Sequence, residues 1–175
     1  GLDRCKQTRV PDDVYGYLYM RTFYYGLRKT VYDPKNYYTH YYSDAFGRLV
    51  KVINYSGENG SFTTNYTYDL LGNLTQVSTQ AKSETGSYLR DIVTTMSYDS
   101  LGRKRSMTDP DMGLWEYKYD LAGNLKWQRD SKGAVTTFQY DKLNRVEYKS
   151  TGEDSITYWY DYGGAGTNTI GRLAA

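Results

Sequence analysis

Tyr68-Asp69-Leu70-Leu71-Gly72-Asn73-Leu74 decides the fold, because its pattern returns in register as Tyr98-Asp99-Ser100-Leu101-Gly102-Arg103 and Tyr119-Asp120-Leu121-Ala122-Gly123-Asn124-Leu125. Asp44-Ala45-Phe46-Gly47 and Asp141-Lys142-Leu143-Asn144 are further copies, and a distorted sixth starts at Asp161. From one Asp to the next the steps are 25, 30, 21, 21 and 20 residues, so the period is near 20 with insertions early on. An Asp in first place can accept bonds from backbone N–H groups within the turn, and the two central residues suit a type I conformation. The Gly then supplies the positive φ that closes a G1-bulge hairpin. Asn144 in the Gly position fits the same turn, since Asn tolerates the left-handed region best among non-glycine residues.

The flanks of the anchor follow strand geometry. Three residues before each Asp stand Tyr41, Tyr66, Met96, Tyr117, Phe138 and Tyr158, and one before stand Ser43, Tyr68, Tyr98, Tyr119, Tyr140 and Tyr160. That period of two is a strand showing large groups on one face as it enters a turn. Half a period later come second turn signals: Ser56-Gly57-Glu58-Asn59-Gly60, Ser83-Glu84-Thr85-Gly86, Asp109-Pro110-Asp111-Met112-Gly113, Asp130-Ser131-Lys132-Gly133 and Thr151-Gly152-Glu153-Asp154. Each repeat is therefore two strands and two turns, an antiparallel meander with no room for a conventional helix. Upstream, Tyr15, Tyr17, Tyr19, Phe23 and Tyr25 alternate, Asp13-Val14-Tyr15-Gly16 imitates the anchor, and Asp33-Pro34-Lys35-Asn36 reads as another turn. Residues 1–36 are expected to be worn repeats, and 37–175 about six regular ones.

Composition agrees with sheets that bury thin layers. Tyr occurs 22 times against four Phe, three Trp and four Met, and its ring suits a half-buried pleated surface while its hydroxyl stays wet or bonded. A net charge of +2 from 22 basic and 20 acidic residues gives no strong field for nucleic acid or anionic lipid. Cys5 is the single cysteine, so no internal disulfide forms. No apolar run approaches the roughly 18 residues of a membrane span.

The three Tyr-Asp-x-x-Gly segments quoted above resemble the signature of Rhs/YD-repeat proteins over roughly residues 37–175, and Tyr160-Asp161-Tyr162 to Ile170-Gly171-Arg172-Leu173 resembles a longer-turned variant. Ser43, Lys104 and Asn144 depart from the pattern without contradicting the turn. The family includes bacterial polymorphic toxins, shell components of insecticidal toxin complexes and animal teneurins. The resemblance implies an all-β chain of tandem hairpins forming a curved stacked sheet, part of a β-barrel or cocoon, in a secreted or cell-surface protein. In the bacterial toxins such a shell encloses a C-terminal toxin. The self-cleaving aspartyl site that often ends these shells is not recognisable, so an internal stretch of wall is expected.

Three functions follow. As wall, the chain is structural and not an enzyme. It would need no cofactor, and its partners would be the rest of a longer shell or neighbouring subunits joined by strand addition, with a toxin as cargo. The turn residues Asp44, Gly47, Asp69, Gly72, Asp99, Gly102, Asp120, Gly123, Asp141 and Asn144 would then carry it. Tyr66, Tyr68, Tyr98, Tyr117, Tyr119, Phe138, Tyr140, Tyr158 and Tyr160 would serve as aromatic packing. As a carbohydrate-binding module, exposed Trp115, Trp127 and Trp159 would stack on pyranose faces, although rings at alternate positions are equally expected as inter-strand packing. As a self-assembling filament, it would use open sheet edges. Regular recurrence makes each anchor Asp a turn residue rather than a catalyst or metal ligand. Asp109, Asp111 and Gly113 suggest a calcium loop, but the chelating series stops at two carboxylates and contains Pro110, so no metal is expected. His40, the only histidine, shows no spacing that would make it a base for Cys5 or a serine. Arg103-Lys104-Arg105 reads as a solvated edge beside a turn rather than a phosphate contact.

Overall fold

The Asp-x-x-Gly turns alternate with the half-period turns at opposite ends of short strands, and the chain therefore runs up and down without a crossover. The computed structural model describes residues 4–12, 16–55, 60–82, 88–161 and 173. Within them lie β1 (Arg4–Asp12), β2 (Gly16–Tyr25), β3 (Arg28–Tyr32), β4 (Tyr38–Ser43), β5 (Leu49–Tyr55), β6 (Ser61–Tyr68) and β7 (Leu74–Lys82). They continue as β8 (Tyr88–Tyr98), β9 (Lys104–Asp109), β10 (Gly113–Tyr119), β11 (Leu125–Arg129), β12 (Val135–Tyr140), β13 (Val146–Ser150) and β14 (Ser155–Thr157). Strand order is sequence order, the pairings among the described residues are antiparallel, and no described residue is helical. The turn readings at Asp13–Gly16, Ser56–Gly60, Ser83–Gly86 and Tyr162–Ile170 fall wholly or largely outside the described residues.

The chain divides into two compact units, Gly1–Thr95 and Met96–Ala175. In the first, β1 to β7 and most of β8 pair in succession. The row His40, Ile53, Thr63 lies on one face, and the row Tyr41, Val52, Thr64 on the other. In the second unit, β9 to β14 repeat the arrangement with shorter strands. Burial is thin: among the described residues only Val52 (8% exposed) and Thr30 (2%) are buried. Side chains elsewhere are half-buried or exposed, the condition in which Tyr outperforms Leu because its polar end stays accessible.

The anchor turns at Asp44, Asp69, Asp120 and Asp141 are each followed by an irregularity. Tyr42 pairs with Lys51 but Ser43 with Leu49, leaving Val50 as an extra residue. Thr75, Lys126 and Glu147 are extra in the same way after the anchors at Asp69, Asp120 and Asp141. Beyond the expected bulge at the Gly, every one of these hairpins thus carries a second bulge, which bends the strand and raises its local twist.

Candidate functional site: the Asp–Arg–Tyr clamp

The turn at Asp99 shows the unit. Gly102 N–H donates to the Asp99 carbonyl at 3.0 Å, and Asp99 N–H donates to the Arg103 carbonyl at 2.9 Å. The Asp99 Oδ1 accepts from the backbone N–H groups of Leu101 and Arg103, both at 2.9 Å, and its Oδ2 accepts from Arg103 Nε at 2.7 Å. Asp44 and Asp141 hold Arg48 and Arg145 in the same way. Asp69 and Asp120 use the Asn73 and Asn124 amides instead. The position after the Gly is filled by Arg or Asn because both can donate from backbone and side chain to one carboxylate. The left-handed position is Gly47 (φ 81°), Gly72 (88°), Gly102 (74°), Gly123 (92°) or Asn144 (60°).

These bonds hold the carboxyls below the usual range. For Asp99 and Asp141 the leading cause is the N–H of the Arg four residues on, and for Asp69 it is the Asn73 amide. At Asp44 and Asp120 partial desolvation pushes upward, yet the bonds from Arg48 and Asn124 prevail.

The clamp reaches across to the next repeat. Tyr68 Oη donates to the Leu49 carbonyl at 2.8 Å, Tyr119 to Lys104 at 3.0 Å, Tyr140 to Leu125 at 2.8 Å and Tyr160 to Val146 at 2.9 Å. Each acceptor is the first residue of the strand leaving the preceding anchor turn. The backbone ladder between neighbouring hairpins stops two residues short there, at Lys51–Asn65, Ser106–Glu116, Trp127–Thr137 and Tyr148–Thr157. The second bulge takes the strands out of register at that point, and a tyrosine hydroxyl satisfies the carbonyl that the ladder misses. Where an Arg follows the turn, it also covers the next tyrosine. The guanidinium carbon lies 4.7 Å from the Tyr68 centroid for Arg48, 4.9 Å from Tyr119 for Arg103 and 4.3 Å from Tyr160 for Arg145. Arg103 further donates to the Asp120 carbonyl at 3.2 Å. Arg145 donates to Asp161 at 2.8 Å, and hydrogen bonds to Asp161 and Asp141 hold its proton more firmly still. Tyr98 Oη lies 3.8 Å from Met96 Sδ, after the 30-residue step.

Tyr68, Tyr119 and Tyr160 are therefore hydrogen-bond donors under guanidinium lids, and Tyr140 is a donor without one. Residues three before the anchor stand beside aliphatic stems or polar chains, Tyr66 opposite Val77, Tyr117 opposite Gln128 and Phe138 opposite Lys149. Burial pushes the Tyr117, Tyr119 and Tyr140 hydroxyls up. Ring pairs gather instead in the first unit, with Tyr38 stacked on Tyr55 at 4.3 Å and tilted against His40 at 5.0 Å. His40 Nδ1 shares a 2.9 Å hydrogen bond with Thr30 Oγ1, and burial, then Arg28, lowers its pKa. Cys5 is exposed on β1.

The three tryptophans do not share one environment. Trp159 is 65% exposed, but Trp115 and Trp127 are half-buried, which corrects the expectation that all three face solvent. Trp127 has Lys118 Nζ at 4.3 Å and Arg129 at 5.9 Å, and Trp115 Nε1 is enclosed without a hydrogen-bond partner. At the suggested calcium loop, Asp109 Oδ1 accepts from the Asp111 and Met112 N–H groups. That is turn chemistry.

The RHS Repeat family model matches residues 44–85, two anchor turns with the strands between them. The tRNA nuclease WapA of Bacillus subtilis is 30% identical over 132 residues, which is 72% of this chain and 6% of that protein. The chain belongs to the Rhs/YD-repeat family. Human Teneurin-4 is 26% identical over 133 residues, 72% of the chain and 5% of its own length. The crystal structure of TcdB2-TccC3-Cdc42 superposes on 95% of this Rhs/YD chain with a TM-score of 0.61 at 17% identity, using 10% of its own length. The Photorhabdus luminescens Tc holotoxin pore does so on 97% with a TM-score of 0.50 at 15% identity. The likeness to these structures is one of fold, and the Rhs/YD chain spans about a twentieth to a tenth of the proteins it matches.

Proposed function

We propose that this Rhs/YD chain is a length of wall in a secreted or cell-surface β-shell that encloses or presents a toxin or other cargo. It acts mechanically and catalyses nothing. The observation that carries this reading is the clamp. The carboxylates of Asp44, Asp69, Asp99, Asp120 and Asp141 are spent on their own turns, and hydroxyl and guanidinium groups tie Tyr68, Tyr119, Tyr140 and Tyr160 to the repeat before. Functional groups used to join hairpins end to end suit a wall better than a reaction centre. Residues 1–36 belong to the same wall as worn repeats. Asp33 receives the N–H groups of Lys35 and Tyr37, and Asn36 N–H closes onto its carbonyl, as in the anchor turns.

A second reading, a carbohydrate-binding module, is favoured by one place. Exposed Trp159 borders an open groove of about 490 Å³ with Gln139, Glu147, Tyr148, Thr157 and Tyr158, a ring with polar groups beside it. Light scattering with electron microscopy, with and without a glycan panel, separates the two. Assemblies that form without sugar are expected, and a monomer that changes only with one glycan would overturn the wall.

A further inference from the structure

The two rims of the second unit differ in chemistry. The anchor-turn rim projects Leu101 (74% exposed), Leu121 (109%) and Leu143 (70%), side chains that nothing within the unit covers. Exposed Arg105, Lys126 and Lys142 stand among them, with Glu147 and Asp161 as the exposed acids nearby, Asp161 already paired with Arg145. The half-period turns at the other ends of the same strands expose Asp111, Glu153 and Asp154, with Lys132 and Arg129 as cations, Arg129 already paired with Glu116. Beside these, Met112, Leu114 and Ile156 are each about half exposed. One rim is apolar and basic, and the opposite rim is apolar and acidic.

We infer that the anchor-turn rim of this unit docks onto the half-period rim of a second copy, stacking copies along the strand direction. This rests on the wall reading and names its partner. Three physical arguments select that occupant. The charges are complementary between rims, whereas two anchor-turn rims would oppose cations. Both rims repeat every two strands, about 9.6 Å, because they are opposite ends of the same hairpins. Each leucine tip of one copy therefore finds an equivalent place on the next, a match that an unrelated surface would meet only by chance. Desolvation is cheap as well, since the anchor carboxylates already accept hydrogen bonds within their own turns, so closing the seam strands no carboxylate. The contact is heterologous, one patch on a different patch, so it propagates instead of stopping at a dimer.

Charge exchange between rims tests the seam. One variant reverses the anchor rim (R105E, K126E, K142E) and another the half-period rim (D111K, E153K, D154K). Sedimentation over a concentration series should show the wild-type chain associating and each variant alone associating about tenfold or more weakly. A mixture of the two variants should recover association, because the reversed rims are again complementary. L121S/L143S, with circular dichroism and melting unchanged, should weaken association similarly. A wild-type chain that stays monomeric, or a mixture no tighter than its components, would overturn the seam. Association indifferent to every rim change would do the same while leaving the wall reading standing, with open strand edges as its contact.

Discussion

At the scale of single residues, the turns separate backbone strain from crowding. Gly123 has φ 92° with open space where a Cβ would sit, while a Cβ on Gly113, at φ 71°, would lie 2.5 Å from Ser131 Cβ. Gly123→Ala is therefore expected to cost only the left-handed penalty, about 1–2 kcal/mol. Gly113→Ala should cost more, and Ser131→Gly should return the excess. Chemical denaturation of the four proteins decides it, and equal losses at the two glycines would contradict the close approach. The tyrosines allow an equally local comparison. Tyr119→Phe deletes the donor to the Lys104 carbonyl, at an expected cost of about 0.5–1.5 kcal/mol. Tyr117→Phe, two residues away on the same face, loses no such bond and should melt within error of the parent. The Tyr-Asp pair was plain in the sequence, but the acceptor was not, because it lies 15 residues upstream and is set by where the neighbouring ladder ends.

At the scale of the hairpin, the clamp couples electrostatics to strand pairing. The Asp99 carboxyl is held below its ordinary range in the folded chain by Arg103 and Leu101. Its contribution is therefore complete above the unfolded value of about 3.9 and is lost as pH falls through the lower folded value. Melting temperature should drop across that acid window, and Asp99→Asn should flatten the drop. A variant as acid-sensitive as the parent would remove the anchor aspartates from the account. Arg103→Lys keeps the charge but loses the planar fork that serves Asp99 and the Asp120 carbonyl while covering Tyr119. It should consequently destabilise nearly as much as Arg103→Ala, as paired thermal melts would show. The hairpins themselves were legible because an Asp, two free positions and a Gly specify one turn, and alternating rings specify the strands beside it. The second bulge was not, since Val50, Thr75, Lys126 and Glu147 share no residue type. Nor does the turn alone dictate it, because the five-residue turns at Asp33 and Asp130 close onto strands in unbroken register.

At the scale of the molecule, the sequence disclosed a sheet too thin for an ordinary core, because Tyr stood where Leu and Phe usually do. It did not disclose that the large aliphatic residues it does possess would be put outside. The motif letters between Asp and Gly read as unconstrained, yet Phe46, Leu70, Leu71, Leu101, Leu121 and Leu143 fill them and are 70% exposed or more. The usual ranking of substitutions should therefore be inverted. Val52, between Tyr41 and Thr64 and 8% exposed, is the buried aliphatic residue among those described. Val52→Ala should cost about 1.5 kcal/mol at roughly 0.8 per methylene removed. Leu121→Ala deletes a larger side chain but should change stability by no more than about 0.5 kcal/mol, measured dilute enough that copies do not associate. Raising the concentration then discriminates further. If leucine tips enter a seam between copies, the parent should gain apparent stability with concentration by mass action and Leu121→Ala should gain less, while Val52→Ala should keep the parent's slope from a lower start. Identical slopes in all three proteins would mean that the tips meet only water.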